Sequence, residues 1–490
     1  MIKKIKSVFE KYNSLPIQVR AAFWFMVCSF MQKGISSITT PIFTRLLSTE
    51  EYGQFSVFNS WLGIVTVFVS LNLSAGVYMQ GLVKYEDRRK EYSSSLQGLT
   101  MFLVAIWTAI YLAFHDFWNG LFDLTTVQML AMLLMIWMSA AFGFWASSER
   151  VVFRYRKLVL ITILTSIAKP VLGIFLVLHA DDKVTARILG LAAVELIGYS
   201  GLMVSQLVKG KKLCIPEFWK HALLFNIPLI PHYLSTTVLN SADRIMIEKM
   251  VDADSAGIYS LAYSISLLMT LFTTGITQTL EPWRYSKQKA GRQEDIATLA
   301  YPTLILVAGL NLALIAFAPE VVRIFAPPQY HDAIWVIPPV AMSVYFMFTY
   351  GFFASFEFYF EKTGYVAAAT MAGAVLNIIL NFIFIRIFGY FAAGYTTLAC
   401  YIVYSVCHYL AMRKICKDNL GGKKVYSLKK LLAISGGFMA LGFAVMFTYF
   451  NNWVRYGAIA VFAVVLVVKR KWIVETVKQI LSVKGSKKKG

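Results

Sequence analysis

Long apolar runs alternate with short polar segments along the whole chain. Each run is about 20 residues long, which is enough for an α-helix to cross a hydrocarbon core of about 30 Å. The runs are continuously apolar and lack the alternation of apolar and polar positions that marks the strands of a membrane β-barrel. We therefore predict fourteen membrane-spanning helices, which start near Arg20, Phe55, Ser95, Leu124, Leu158, Arg187, His221, Ser255, Ile296, Ala333, Gly364, Tyr390, Leu431 and Trp453.

The composition agrees with that pattern. The chain of 490 residues is 58% hydrophobic and 15% charged, whereas soluble proteins carry roughly 25% charged residues. No segment between the apolar runs is long enough for a folded soluble domain, and the longest of them, residues 412–430, is polar and basic. The predicted fold class is an all-α polytopic membrane protein.

Lysine and arginine residues are distributed unevenly among the predicted loops. Most of the 47 basic residues lie in the N-terminal segment, in the loops that follow even-numbered spans, and in the C-terminal tail. Because basic loops stay on the cytoplasmic side, we predict that both termini are cytoplasmic. The same asymmetry explains most of the net charge of +21, so we expect membrane lipids as partners and no nucleic acid.

The two halves of the chain resemble each other. The stretch TRLLSTEEYGQFSVFNSW (Thr44–Trp61) aligns with EKMVDADSAGIYSLAYSI (Glu248–Ile265), and this register places Gly53 on Gly257. One register holds across six spans, and an even number of spans gives two copies with the same orientation in the membrane. Transporters built this way commonly hold the substrate between the halves and expose it to each side in turn.

The repeat predicts three parts of the chain. Residues 1–210 would form an N-terminal six-helix bundle and residues 211–415 a second six-helix bundle. Residues 416–490 would add two further helices and a basic cytoplasmic tail.

Three stretches of the sequence carry a resemblance to a known family. They are SSITTPIFTRLLSTEEYGQFSVF in and after the first span, LNSADRIMI in the seventh, and VLNIILNFIFIRIFGYFAAGYTTLACY in the eleventh and twelfth. They resemble bacterial polysaccharide-unit flippases of the Wzx type, which serve O-antigen and capsule synthesis. Those proteins belong to the multidrug/oligosaccharidyl-lipid/polysaccharide (MOP) exporter superfamily. The likeness covers nearly the whole chain, although Arg386 stands where the family often has proline.

The resemblance implies a cargo and a location. The cargo would be an oligosaccharide unit on undecaprenyl diphosphate, moved by alternating access from the inner to the outer leaflet of the bacterial cytoplasmic membrane. The machinery that polymerises the glycan would be a further partner. Such a headgroup is large, polar and anionic, so its path needs water and fixed positive charge.

Polar residues at helical spacing in the leading span of each half are candidate cargo contacts. They are Lys33, Ser37, Thr40 and Thr44 in the first span, and Thr237, Asn240, Ser241 and Arg244 in the seventh. Arg244 suits a diphosphate because its planar guanidinium can bind two oxygen atoms at once. The alternative is structural, because Arg244 could pair with an acid of its own bundle or reach outward along the membrane surface.

Three more residues are candidates for cargo binding. Lys169 precedes Pro170, where the helix should bend, and it could either bind the cargo or fill a polar gap at the bend. Asn377 and Asn381 lie four residues apart on one helical face. They could contact the sugar or form hydrogen bonds between helices.

Two acidic residues inside apolar spans are candidates for coupling transport to a cation. Glu195 and Asp243 could each carry the coupling H⁺ or Na⁺, and Glu195 could instead be a neutral group bonded to a neighbouring helix. Glu357, near the end of the tenth span, is predicted to lie at the membrane interface.

Catalytic motifs are absent from the sequence. No Walker A pattern occurs, the six histidines have no metal-ligand spacing, and the Asp252–Asp254 pair falls on the predicted outer side. We therefore predict a transporter without catalytic residues, bound metal or other cofactor. Two alternatives stay open: a drug or cation exporter of the same superfamily, and a membrane-embedded polysaccharide polymerase or ligase.

Overall fold

The structure, a computed structural model, describes residues 16–482. The regular elements of this part of the chain are helices, as predicted. In chain order they are α1 Ile17–Leu46, α2 Thr49–Ser70, α3 Gly76–Lys84, α4 Arg89–Ala113, α5 His115–Phe122, α6 Thr126–Val151, α7 Tyr155–Val177, α8 Lys183–Gly210, α9 Pro216–Asn226, α10 Ile230–Met250, α11 Ala253–Ser266, α12 Met269–Lys289, α13 Asp295–Ala316, α14 Ala318–Phe325, α15 Ala333–Tyr359, α16 Thr363–Phe388, α17 Phe391–Asn419, α18 Leu428–Phe447, α19 Asn452–Val468 and α20 Arg470–Ser482.

The hydropathy pattern predicts the helices that cross the membrane. Among the described residues, eleven helical segments are long and apolar enough to span a bilayer. The prediction of a multi-pass membrane protein is confirmed, while the count of fourteen spans stays a prediction. The predicted cytoplasmic position of the two chain ends concerns residues 1–15 and 483–490, which lie outside the described residues.

Polar side chains cap the N-termini of α6 and α8. Before α6, the Thr125 hydroxyl accepts a hydrogen bond from the Gln128 backbone at 3.3 Å, and the Gln128 side chain accepts one from the Thr125 backbone at 3.1 Å. Asp182 accepts one from the Thr185 backbone at 2.9 Å, at the start of α8. Such caps satisfy backbone N–H groups that have no partner within the helix, so they determine where α6 and α8 begin.

Contacts divide the chain into two compact units. The first unit comprises the chain up to Leu47 together with Gln54–Thr237, and the second comprises Ser48–Gly53 together with the chain from Val238 onward. The predicted three-part division at residues 210 and 415 describes a repeat in the sequence, and it stays a prediction.

In the first unit, α6 and α8 form the centre of the packing. Helices α4 and α7 both pack on α8, and α1 packs on α7. The core contains Phe58, Met132, Ile136 and Ile188, each with at most 1% of its surface exposed. Burial of these side chains on several neighbouring helices stabilises the unit through close packing.

In the second unit, α15 is the central helix, and 83% of an apolar 18-residue stretch of it is buried inside the protein. It packs on α11, α12, α13 and α17. Helix α18 packs on α13 and α15, and α20 packs on α12 and α13. The added C-terminal helices are therefore part of the second unit.

The first turn of α2 belongs to the second unit, where it packs on the first turn of α11. A β-carbon at Gly53 would collide with the carbonyl group of Ala253, and one at Gly257 would collide with that of Thr49. Only glycine allows this close approach of two backbones. The two glycines that the repeat aligns therefore touch each other inside this unit.

Candidate functional site

Asp243 is the centre of a buried polar cluster in the second unit. The residue lies on α10 with 1% of its surface exposed. Its carboxylate accepts hydrogen bonds from the Tyr259 hydroxyl at 2.6 Å, the Asn381 amide at 2.5 Å and the Thr397 hydroxyl at 2.9 Å. All three donors are uncharged and come from three other helices: α11, α16 and α17.

A second ring of polar groups surrounds the Asp243 carboxylate. The Asn381 amide also donates to the side-chain oxygen of Asn377 at 3.2 Å, and the Thr396 hydroxyl donates to the side-chain oxygen of Asn381. The cluster thus combines one carboxylate with amide and hydroxyl oxygens. Both oxygens of the carboxylate already accept hydrogen bonds, so the cluster holds a buried charge through neutral donors.

This geometry places Asn377 and Asn381 beside the predicted coupling residue. Both are buried, with at most 1% of their surface exposed. Their role in sugar binding stays a prediction, whereas their hydrogen bonds connect α16 to α10 and α17.

Arg244 follows Asp243 along α10 but points away from the buried cluster. Its guanidinium donates to the backbone oxygen of Asn240 at 2.7 Å and lies over the Tyr263 ring, 4.4 Å from the ring centre. Arg244 is half-buried and Asn240 is exposed. The cation is held by a backbone carbonyl and an aromatic face.

The first unit contains a buried ion pair that joins two predicted site residues. The Lys169 amine on α7 lies 2.6 Å from a carboxylate oxygen of Glu195 on α8. The other carboxylate oxygen accepts a hydrogen bond from Ser139 on α6 at 3.0 Å. Glu195 is 3% exposed. The predicted cargo-binding cation therefore neutralises the predicted coupling acid.

The predicted polar stripe on α1 changes from exposed to buried along the helix. Lys33 is exposed, Thr40 is half-buried and Thr44 is buried. The Thr40 hydroxyl donates to the Ser36 carbonyl at 2.9 Å, one turn back in the same helix. The hydroxyl of Thr40 thus has a local partner, and Lys33 is the charged residue at the exposed end of the stripe.

Glu357 is buried inside the protein, while its predicted depth at the membrane interface stays a prediction. It is fully inaccessible and lies 2.7 Å from the Nδ1 atom of His408, which is 1% exposed. The next residue, Phe358, is 50% exposed, so the burial is specific to the face of α15 that carries Glu357. The sequence signal was a histidine in the apolar twelfth span, whose partner could not be identified without the fold.

Arg284 is a buried cation that the hydropathy pattern does not reveal. Helix α12 continues to Lys289 and buries Arg284 to 3% exposure. Its guanidinium donates to the Gly351 carbonyl on α15 at 2.8 Å. The polar residues of TLEPWRYSKQK hid this helical continuation from a hydropathy pattern.

Comparison with models of known protein families shows to which family the chain belongs. Residues 19–284 match the model of the family described as polysaccharide biosynthesis protein. The chain belongs to this family. The polysaccharide biosynthesis family was predicted from the sequence through its flippase members, and that resemblance is confirmed.

Relatives and solved structures agree with the assignment to the polysaccharide biosynthesis family. A "probable low-salt glycan biosynthesis flippase" of Haloferax volcanii is 22% identical over 403 residues, which cover 79% of this chain and 82% of the relative. The lipid II flippase MurJ in an inward closed conformation superposes with a TM-score of 0.70 at 15% identity, over 92% of this chain and 99% of MurJ.

A multidrug resistance MATE transporter of the MOP superfamily, inward-facing, superposes with a TM-score of 0.59 at 14% identity. The match covers 80% of this chain and 96% of that transporter. The protein thus has the fold of MOP superfamily transporters. Its relatives are membrane transport proteins, in agreement with the prediction that the chain is not an enzyme.

Proposed function

We propose that the protein is a cation-coupled flippase for lipid-linked oligosaccharides. Its cargo is an oligosaccharide unit on undecaprenyl diphosphate, which it moves by alternating access from the inner to the outer leaflet of a cytoplasmic membrane. Both chain ends lie on the cytoplasmic side. Enzymes that polymerise the glycan use its product.

The main support for a glycan-containing cargo is the match to the polysaccharide biosynthesis family over residues 19–284. The similarity to a glycan biosynthesis flippase over 79% of the chain supports the same class of cargo. The undecaprenyl diphosphate carrier is inferred from the resemblance to Wzx-type flippases. Its diphosphate is anionic, which is consistent with cationic side chains within the helices.

Cationic residues of each unit supply the positive charge that this cargo needs. Lys33 is exposed on α1, and Arg244 is half-buried on α10 beside Asn240. Lys169 is paired with Glu195, which already neutralises its charge. We therefore assign phosphate contacts within each unit separately: Lys33 with its neighbour Thr40 in the first unit, and Arg244 with its neighbour Asn240 in the second.

Asp243 supports cation coupling. Its carboxylate is buried and its three hydrogen-bond donors are uncharged, so a bound cation would supply an opposite charge. Asn381 and Thr397 donate hydrogen to the carboxylate in this structure, so Na⁺ would bind there once these groups turn an oxygen towards it. A cation bound there would stabilise the packing of α10 against α16 and α17 and so favour one conformation over another.

A drug exporter of the same superfamily is the second candidate function. The superposition on a multidrug transporter favours it, because that transporter shares the fold over 80% of this chain. A cationic drug, however, would be repelled by Lys33 and Arg244, whereas an anionic diphosphate would be attracted.

Deletion of the gene tests the proposal. We expect undecaprenyl-linked oligosaccharides to accumulate with their sugars accessible from the cytoplasmic side only, and the wild-type gene to reverse this. A matched control is Asp116→Asn, because Asp116 has 92% of its side chain exposed. Increased drug sensitivity without accumulation of lipid-linked sugar would identify a drug exporter and reject the flippase.

A further inference from the structure

The last described helix lies against the second unit with one face. Helix α20 starts at Arg470, directly after the apolar helix α19 ends at Val468. Its packed face contains Thr476 and Ile480, which are 3% and 5% exposed. These residues contact the α12 and α13 side of the unit. The helix is therefore fixed to the protein where the chain leaves the membrane.

Another face of α20 is apolar and exposed. Val474, Val477 and Leu481 are 49%, 38% and 60% exposed. Their spacing of three and four residues puts them on one stripe, about a third of a turn away from Thr476 and Ile480. A helix that only covered the protein surface would carry polar residues along this stripe.

Three cations border the apolar stripe. Arg470, Lys471 and Lys478 are all exposed, and the helical spacing puts them on or beside the same face. Helices that lie in the membrane interface combine such a stripe with flanking lysine and arginine, whose aliphatic stems reach past the apolar residues towards headgroup phosphates. The apolar helix α19 ends two residues before α20; with α19 as the predicted fourteenth span, the nearest surface for this face is a lipid leaflet.

We propose that the outward face of α20 binds anionic phospholipids. Val474, Val477 and Leu481 insert among the upper acyl chains, while Arg470, Lys471 and Lys478 bind the phosphate groups. The other side of α20 packs on α12 and α13, so the charge of the leaflet acts on the second unit through this helix. A protein partner with an acidic surface is the alternative occupant.

Quenching by brominated lipid tests the proposal on the full-length protein. Cys28, Cys214, Cys400, Cys407 and Cys416 are replaced by serine or alanine, and a single cysteine at Val477 carries an environment-sensitive dye. Gln479, also exposed but on another face of α20, supplies the matched control position. The protein is placed in nanodiscs that contain brominated phosphatidylglycerol or brominated phosphatidylcholine at equal fraction.

We expect the dye at position 477 to be quenched at least about twofold more than at 479, and more by phosphatidylglycerol than by phosphatidylcholine. Lys471→Gln with Lys478→Gln should abolish the preference for phosphatidylglycerol, while Lys220→Gln on the first unit should not. Equal quenching at 477 and 479 would reject contact with acyl chains. Equal quenching by the two lipids in the unmodified helix would reject the preference for anionic headgroups.

Discussion

The amine of Lys169 and the carboxylate of Glu195 are 2.6 Å apart in the first unit. A buried charge without its partner is strongly destabilising, whereas removal of both partners together is often tolerated. The pair therefore joins two residues for which the sequence predicts separate roles, Lys169 in cargo binding and Glu195 in coupling.

A double-mutant cycle at this pair separates the two roles. We expect Glu195→Gln and Lys169→Met each to lower the melting temperature and transport, and Lys169→Met to lower stability more, because it leaves the buried Glu195 carboxylate unpaired whereas Lys169 is 29% exposed. The double variant should recover the melting temperature. If the double variant also transports at the wild-type rate under every ion gradient, the pair is purely structural.

Asp243→Asn should abolish the response of the protein to its coupling ion. The change keeps the size and removes the charge, and it replaces one of the two acceptor oxygens by an NH2 donor. We compare the wild type in sodium chloride and in choline chloride at equal ionic strength. At a sodium concentration 100 times the dissociation constant of sodium, bound sodium should raise the free energy of unfolding by about 2.7 kcal/mol. The melting temperature measures this gain, and Asp243→Asn should show none.

The control for that experiment is a pH series without sodium. A pH dependence of the melting temperature that Asp243→Asn removes would identify the proton as the ligand. Indistinguishable sodium and pH responses in the wild type and the variant would exclude Asp243 from coupling.

Arg244→Ala should abolish glycan export at a normal level of folded protein, since the cargo loses a bidentate phosphate contact. Arg244→Lys should keep part of the activity because it retains the charge. Lys33→Ala should be milder, about tenfold if about 1.4 kcal/mol of binding is lost. Export is measured as surface glycan per folded protein. Less folded protein with normal export per molecule would instead make Arg244 a structural residue.

Arg455 should hold the added helices to the second unit. This residue on α19 is 2% exposed and pairs with Glu320 on α14, which also accepts a hydrogen bond from Tyr456 at 2.8 Å. Arg455→Ala should lower stability by roughly 2–3 kcal/mol, because Glu320 loses its partner but is partly exposed. Thermal unfolding measures the loss. Arg455→Ala with Glu320→Ala should cost less than the single change.

Cysteine labelling tests the orientation in the membrane. A cysteine at Asp116 or Val251 should react with an impermeant reagent from outside the cell, and one at Gly422 should not. Val251 is preferred to Asp252, because the Asp252 side chain caps α11 at 2.7 Å and its loss costs about 1 kcal/mol. The native Cys214 is exposed and should stay unlabelled from outside. The reverse pattern would invert the proposed direction of transport.

The sequence alone was sufficient to predict the class of fold, an all-α polytopic membrane protein. Predicted spans near Ala333 and Tyr390 lie at the starts of α15 and α17, because a bilayer accepts apolar helices wherever the hydropathy is high enough. The family could also be identified from local motifs. These properties depend on residues close together in the chain.

The tertiary structure alone decided which polar groups meet. Asp243 takes partners that are 16, 138 and 154 residues away, and Glu195 takes one 26 residues away. Helical spacing shows on which face of its own helix a residue lies. It does not show which other helix packs against that face. A buried charge needs specific partners at hydrogen-bonding distance, and only the packing of the helices supplies them.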